Sequence, residues 1–560
     1  MEGPLPSPRV STPARLVLQA AIAGLYAALA LIVFLRLLHP EPPRLRFVVA
    51  MLPVAAAYTL VAALLLPLLY GLMRFFASHR LQVPRFSPRY VMTFLVAALT
   101  PVLASIGVTL SQARRAIDEA AAGQVKLLLV AVGGAWIYAG VVCLVPRLKR
   151  SLALQASAAG VALAALLAPG LLPGGVAAED GSPPPGGLPP VARRVVLIEI
   201  DGADLEDLLG LQMRGVLPAL SRLRRDGAYG RLETILPCDA AVVRTTLVTG
   251  QLPWRSGVRG PFERRLLGQP VGLSIVPAGL GFDRLLSPAM TRRRLTVEDR
   301  ESPALWDMVR AAGGDARIAG WEVDLDHPGG PKPSTMTEVR ALTAEFSEGE
   351  TSFFDLPMGA SVDLGRALAA DQAAAAALDP PFEGNGLVAV SLPGLDRVAH
   401  RFLRFARPAA FGNVRPAEVD EYGRVLERYY ARLDGLVARA QALAGPEGWL
   451  FVTSAHGIEP APLRRRLLPS RAGTRDALSG SHEEGPSGFL FALGPGVRAG
   501  QRFGRAALAD VAPTVLYLLG LPIASNLDGR IIDALLDPEE IRARPVLIID
   551  SYGRRTEPGR

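Results

Sequence analysis

Five apolar stretches without a single charged residue fill the first third of the chain: residues 16–35, 47–73, 90–110, 127–145 and 152–172. Each approaches or exceeds the roughly 20 residues that a helix needs to cross the hydrocarbon core of a bilayer. Soluble helices of this length carry a polar face, and five closely spaced stretches are too many for one cleaved signal peptide. Residues 1–172 are therefore expected to be an all-α transmembrane region of about five helices. Pro53 and Pro67 would kink or shorten the second. The spans contain no ionisable Asp, Glu, Lys, Arg or His, which argues against an ion-coupled transporter and for an anchor or a lipid-facing platform. Membrane lipids are the first expected partner.

Orientation follows from Lys and Arg in the short connections. With the N-terminus inside, one side holds Arg9, Arg15, Arg74, Arg80, Arg85, Arg89, Arg147, Lys149 and Arg150; the other holds Arg36, Arg44, Arg46, Arg114, Arg115 and Lys126. This bias predicts a multi-pass protein of the cell membrane with its C-terminal two thirds extracytoplasmic. Residues 173–192, rich in Pro and Gly, read as a linker. A domain over 193–540 and a tail over 541–560 complete the expected organisation. The formal net charge is +8, but the arginines are scattered and not interleaved with aromatics, so nucleic acid is not an expected partner. The two cysteines, Cys143 and Cys238, suggest neither a disulfide framework nor a thiolate metal site.

Within the C-terminal part, residues 195–202 (VVLIEIDG) read as a strand buried on both faces that ends in Asp201-Gly202. Open α/β sheets place their ligands at such carboxyl ends; taken alone, Asp201 could equally cap the next helix. A turn-and-helix pattern follows, with Leu208, Leu217, Leu220 and Leu223 apolar. Ser302 is expected to cap a helix with Pro303 in its first turn. Residues 387–392, 449–453 and 489–493 read as further buried strands, residues 424–443 as an amphipathic helix, and 331–380 as a helical insertion that could cap the site. Strands alternating with helices imply an α/β fold with a mostly parallel sheet sandwiched by helices.

Four histidines lie in this part: His327, His400, His456 and His482. Asp396 and His400, spaced i, i+4 just after a strand, would point the same way from a helical turn. His456 follows another strand, and His482 precedes a third in a Gly/Ser-rich loop. Carboxylate and imidazole converging at one sheet edge suit Zn²⁺ or a similar ion. The bland reading makes each histidine a surface or core residue. His327 is expected in a loop, Asp204 and Asp207 in a first helical turn, and Arg292-Arg293-Arg294 in a solvated loop, with a lipid-headgroup contact as the alternative.

IEIDGAD with GVLPALSRLRRDGAYGRL, TTLVTGQLPWRSGV, GLDRVAH, SAHG, GSHEEGPSGFLFALGPGV and DVAPTVLYLLGLPIASNLDGR together resemble the alkaline phosphatase superfamily, most closely its type I phosphodiesterase/nucleotide pyrophosphatase branch. The resemblance covers residues 194–532 and excludes the apolar stretches. It implies an alkaline-phosphatase-like fold and two metal ions, usually zinc, with Mn²⁺ an alternative. Asp396, His400 and His482 match one ion's ligands in full. Asp201 and His456 match ligands of the other, but the family's Ser-Asp-His-Gly reads Ser454-Ala455-His456-Gly457 here. The expected Thr or Ser nucleophile, nine residues before Thr249, falls on Ala240.

Alanine cannot attack phosphorus, so the covalent step of the family mechanism is closed to it. Three outcomes remain open. A neighbour substitutes, with Asp239 or Cys238 adjacent and Thr245 or Thr246 a turn or more away. A one-metal site activates water directly. Or the domain no longer catalyses and binds a metal, a phosphorylated headgroup or a protein partner. Arg244 could contact a phosphate, although a cleft-edge structural role is favoured. The expected function is a membrane-anchored extracytoplasmic metal-dependent phosphoric ester hydrolase, phosphodiesterase-like, with impaired or altered catalysis. A metal- or headgroup-binding pseudoenzyme is the alternative, and sulfatase or phosphoglycerol-transferase-like chemistry a lesser one.

Overall fold

The computed structural model describes residues 13–40, 42–76, 89–144, 187–322 apart from scattered positions between 267 and 288, 358–412, 414–462 and 479–554. The chain forms two compact units, one of residues 1–177 with 262–293 and one of residues 178–261 with 294–560.

In the first unit, four helices follow the first four apolar stretches: α1 (Pro13–Leu38), α2 (Arg44–Phe76), α3 (Arg89–Gln112) and α4 (Glu119–Leu144). All four are long and apolar enough to cross a membrane. The fifth stretch, 152–172, and the linker up to residue 186 lie outside the described residues. Pro53 and Pro67 are both inside α2, which continues through them rather than ending; an apolar helix tolerates the missing donors by local adjustment of its backbone. Ala30, Phe34, Ala50, Val54, Leu99, Ile106, Val125 and Val132 are buried between the helices. Leu64 (64%) and Val130 (72%) stay largely exposed, as expected of surfaces that hydrocarbon would cover. Close approach depends on small residues: a Cβ on Gly24 of α1 would lie 2.4 Å from the Ala62 Cβ of α2.

Residues 262–293, bracketed in sequence by segments of the other unit, belong with these helices. Phe262–Leu266, Gly272–Leu273 and Met290–Arg294 make a small three-stranded sheet. Leu266, Leu273, Ile275 and Phe282 join the apolar cluster of the helices. Arg292 and Arg293, expected in a solvated loop, instead lie in a strand: Arg292 stacks on Phe262 and Arg293 pairs with Glu263 at 3.2 Å. Cross-strand partners offset the poor strand propensity of these side chains. His39, at the end of α1, holds the excursion. Its Nε2 accepts from the backbone N–H groups of Ser274 (3.0 Å) and Ile275 (3.2 Å), while Nδ1–H donates to the Leu35 carbonyl at 3.0 Å. Thr109 Oγ1 accepts from Ala278 N, and Tyr58 donates to the Leu280 carbonyl.

The second unit is built on a seven-stranded sheet of β1 (Arg194–Ile200), β2 (Ala228–Glu233), β3 (Asp315–Ala319), β4 (Gly386–Leu392), β5 (Trp449–His456), β6 (Ser487–Leu493) and β7 (Gln501–Ala507). The order is β7-β2-β6-β5-β1-β4-β3, and β6 alone runs against its neighbours. β1 lies between β4 and β5, and Glu199 is in register with both Ser391 and Thr453. The carboxyl ends of these three strands are therefore level.

Val196, Ile198 and Ile200 pack on one face against α5 (Leu205–Met213), α8 (Met358–Ala375), α9 (Gly394–Ala406) and α10 (Val425–Ala444). Val195 and Leu197 pack on the other against α6 (Ala240–Thr249), α7 (Leu305–Ala311) and α11 (Val511–Leu519). Each such aliphatic side chain contributes about 1.5–3 kcal/mol on burial, which is why β1 is apolar from Val195 to Ile200 except at Glu199. Leu208, Leu217, Leu220 and Leu223 are buried as expected. Of the expected 331–380 insertion, residues 331–357 lie outside the described residues; α8 buries Leu364, Ala367, Leu368 and Ala370 in the core. The helix after Ser302 begins later than expected, at Leu305. The Asp307 carboxylate accepts the Ala304 N–H at 2.9 Å, and the Ser302 hydroxyl is engaged by Gln251 instead of capping.

Replacing His39 by Phe strands two buried backbone donors, at about 1–3 kcal/mol each. The expected outcome in detergent is a lower Tm and faster proteolysis within 262–293; an unchanged Tm contradicts the role assigned to His39.

Candidate metal centre

Asp201 leaves β1 into a turn that only glycine can complete. Gly202 has φ +71°, and a Cβ there would lie 2.7 Å from the Asp396 Oδ1 atom. The missing side chain lets the β1 edge approach the first turn of α9, which carries Asp396. One turn on, His400 directs Nε2 to 3.4 Å from Asp396 Oδ2, and its Nδ1–H donates to the Gly480 carbonyl at 2.7 Å. That bond fixes which nitrogen faces the carboxylate, leaving Nε2 as the atom that would ligate a metal once it carries no proton, as at histidine metal sites. His482 Nε2 lies 4.0 Å from Asp396 Oδ1. Asp396, His400 and His482 each offer a donor atom within 4.8 Å of the others.

Donor atoms that share a tetrahedral ion at bonds of about 2.0–2.1 Å sit roughly 3.3 Å apart, so this trio could hold a metal ion after a small closing of its wider spacings. Asp396 Oδ1 and His482 Nδ1 are buried without a hydrogen-bond partner among the described residues. Burial alone would raise the Asp396 carboxyl, but the charges of His400 and His482 hold it well below the usual carboxylate range.

The platform under Asp396 was not anticipated from the sequence. Asp371 on α8 accepts the Gly394 N–H (2.8 Å) and the Tyr429 hydroxyl (2.7 Å), pinning the start of α9. Burial pushes the Asp371 carboxyl up to about 7 despite these bonds. The available signal was one acidic residue inside an alanine-rich run.

The other half of the site is arranged differently. Asp201 Oδ1 lies 3.1 Å from His456 Nε2, and Asp201 Oδ2 accepts from Arg244 Nη2 at 2.8 Å. Arg244 Nε is 3.4 Å from Glu199 Oε2, which also accepts from the Ser391 hydroxyl at 2.6 Å. Arg244 is 2% exposed and faces these two carboxylates. Burial drives Glu199 up to about 7 against the pull of Arg244. Burial also opposes charging of His456, but its hydrogen bond and ion pair with Asp201 win, pushing it up to about 9. With Nδ1 facing the Gly457 carbonyl at 3.0 Å and Nε2 facing Asp201, the ring is a donor at both ends.

Ala455 is fully buried in the apolar core and offers no donor atom. Ala240 opens α6, and Asp239 is that helix's N-cap, accepting the Ala241 N–H at 3.1 Å and reaching Arg294 at 3.5 Å. The Thr245 hydroxyl donates to the Ala241 carbonyl at 2.6 Å. Of the potential substitutes for a nucleophile, Cys238 is the one brought to the centre, its donor atom within 4.8 Å of those of His456 and His482. Burial raises its thiol pKa, so at neutral pH it is a weak nucleophile. Asp201 caps no helix; Asp204 does, accepting from Glu206 N and Asp207 N. His327 lies outside the described residues.

Carboxylates and imidazoles converging at the carboxyl ends of a mostly parallel sheet define an α/β protein with a candidate metal centre at its sheet edge. The type I phosphodiesterase/nucleotide pyrophosphatase family model matches residues 195–491, more than half of the chain, and the chain belongs to that family, whose members are metal-dependent. Similar solved structures include murine ectonucleotide pyrophosphatase/phosphodiesterase 5, in an inactive threonine-to-alanine form in complex with AMP (15% identity, TM-score 0.36). The same murine protein without that substitution (14%, 0.35) and its human counterpart (13%, 0.36) are also similar. Each comparison covers 62% of this chain and 100% of the other. No curated protein sequence matches.

His456 has a folded pKa of about 9 against roughly 6.5 unfolded. Its contribution to stability is therefore fully present below pH ~6.5 and is lost as pH rises through about 9. In chelator-treated protein the Tm is expected to fall over that interval, and His456→Gln should flatten the fall. An equal fall in both proteins contradicts the Asp201–His456 pairing.

Proposed function

We propose that the chain is a membrane-anchored, extracytoplasmic, metal-dependent phosphoric ester hydrolase of phosphodiesterase type whose catalysis is altered by loss of the covalent nucleophile. The observations that carry this reading are the convergence of Asp396, His400 and His482 and the alanine at position 240, the first residue of α6. Asp396, His400 and His482 would hold the ion, Zn²⁺ by the donor set and Mn²⁺ as the alternative. When bound, such an ion supplies Lewis-acid polarisation of a phosphoryl oxygen. The chain's own groups do the rest. Asp371 fixes the start of α9, the Gly480 carbonyl holds the His400 ring, and the doubly donating His456 offers positive charge to an anionic ester. With alanine at 240, a phospho-enzyme cannot form there, and water becomes the attacking group.

Ala240 and Ala455 together support a second reading, in which the pocket retains an ion and binds a phosphorylated headgroup or protein partner without turnover. The two readings separate on bis-p-nitrophenyl phosphate with the detergent-solubilised chain. The hydrolase reading predicts slow turnover that chelation removes and Zn²⁺ or Mn²⁺ restores. His400→Ala should lower it by at least about 100-fold, since even supporting groups at metal sites act on that scale. Metal retained without turnover favours the binding reading. Turnover indifferent to His400→Ala contradicts the site assignment.

The Lys and Arg distribution and the fifth apolar stretch support an extracytoplasmic C-terminal domain. A cysteine placed at exposed Arg225 (Arg225→Cys) should react with a membrane-impermeant maleimide in intact cells, and labelling only after lysis would reverse the topology.

A further inference from the structure

We propose that the guanidinium of Arg244 stands in for the second cation of this site, so that the domain holds one metal ion per chain. The inference rests on the metal-binding reading above and concerns the half of the site that contains Asp201 and His456. Two carboxylates, Glu199 and Asp201, meet at the end of β1 in a buried setting that requires compensating positive charge. Arg244, four residues into α6 from Ala240, supplies it. One nitrogen lies 2.8 Å from Asp201 Oδ2 and another 3.4 Å from Glu199 Oε2, in a side chain only 2% exposed.

The neighbouring donors do not fit a second ion. Ala240 and Ala455 carry no ligand atom, and Asp201 has Arg244 on one oxygen and His456 on the other. A metal bound to Asp201 at about 2 Å would share that carboxylate with a permanently charged guanidinium. The chain has thus exchanged a mobile dication for a tethered monocation. The exchange keeps the carboxylates neutralised without metal, but it supplies no open coordination position. One rival occupant can be named from the geometry. Cys238, His456 and His482 also cluster within 4.8 Å, but His482 is needed by the Asp396–His400 trio as well.

Metal content of the full-length chain, purified in detergent and dialysed against Zn²⁺, tests the assignment by mass spectrometry of the bound metal. The wild type is expected to hold one equivalent. Ala240→Thr with Ala455→Asp, which returns two donor groups, should still hold one, and adding Arg244→Leu to that pair should raise it to two. Two equivalents in wild type, or in the double variant with Arg244 present, overturn the proposal. So does one equivalent in all three proteins, because the guanidinium is then not what excludes the second ion. Zero in wild type overturns both this inference and the metal-dependent reading it rests on. Should the triple variant fail to fold, zinc-edge anomalous scattering from wild-type crystals decides. One peak at Asp396, His400 and His482 with Arg244 against Asp201 supports the assignment, and a second peak beside Asp201 or Cys238 refutes it.

Discussion

A carboxylate at the end of the central strand organises this domain. Asp201 is buried where the sheet meets two helices, and it exists there as an anion because His456 and Arg244 both face it. Remove either partner and part of the buried negative charge of Asp201 and Glu199 is left uncompensated in a medium where that is costly. The level ends of β1, β4 and β5, the glycine that follows Asp201, and the pinned start of α9 all bring neighbouring groups to this point.

The site is asymmetric as a result. The Asp396, His400 and His482 half has donors at metal-like spacing, with one histidine tautomer set by a backbone carbonyl. The Asp201 half satisfies itself through protein charges. The family match over residues 195–491 spans both halves, since Asp201, Arg244, Asp396, His400, His456 and His482 all lie within it.

Much of the fold was legible because its signals are local. Residues 195–198 and Ile200 are apolar in sequence for the same reason that they are buried on both faces. The first four membrane-length stretches emerge as helices because hydrocarbon length and helical rise fix their size. The convergence of Asp396 and His400 was legible because they share a helical turn. Other features depend on tertiary placement and leave little trace in the chain. Nothing in residues 262–293 announces that their apolar side chains join the helical unit, since an excursion can enter either core. Asp371 acts through a backbone N–H 23 positions away. Arg244 could be read as a phosphate contact because its distance to Glu199 and Asp201 is invisible in sequence; the acidic residue inside an otherwise apolar strand was the one hint that a buried cation would be needed.

One ion held by carboxylate and imidazole at the sheet's rim, beside a tethered guanidinium, would have a distinctive coordination shell. X-ray absorption at the zinc edge of the loaded chain addresses it most directly. The expected spectrum shows a first shell of nitrogen and oxygen at about 2.0–2.1 Å, with the outer-shell signature of two imidazoles and no sulfur. A zinc–sulfur distance of about 2.3 Å would put the ion at Cys238 and contradict it.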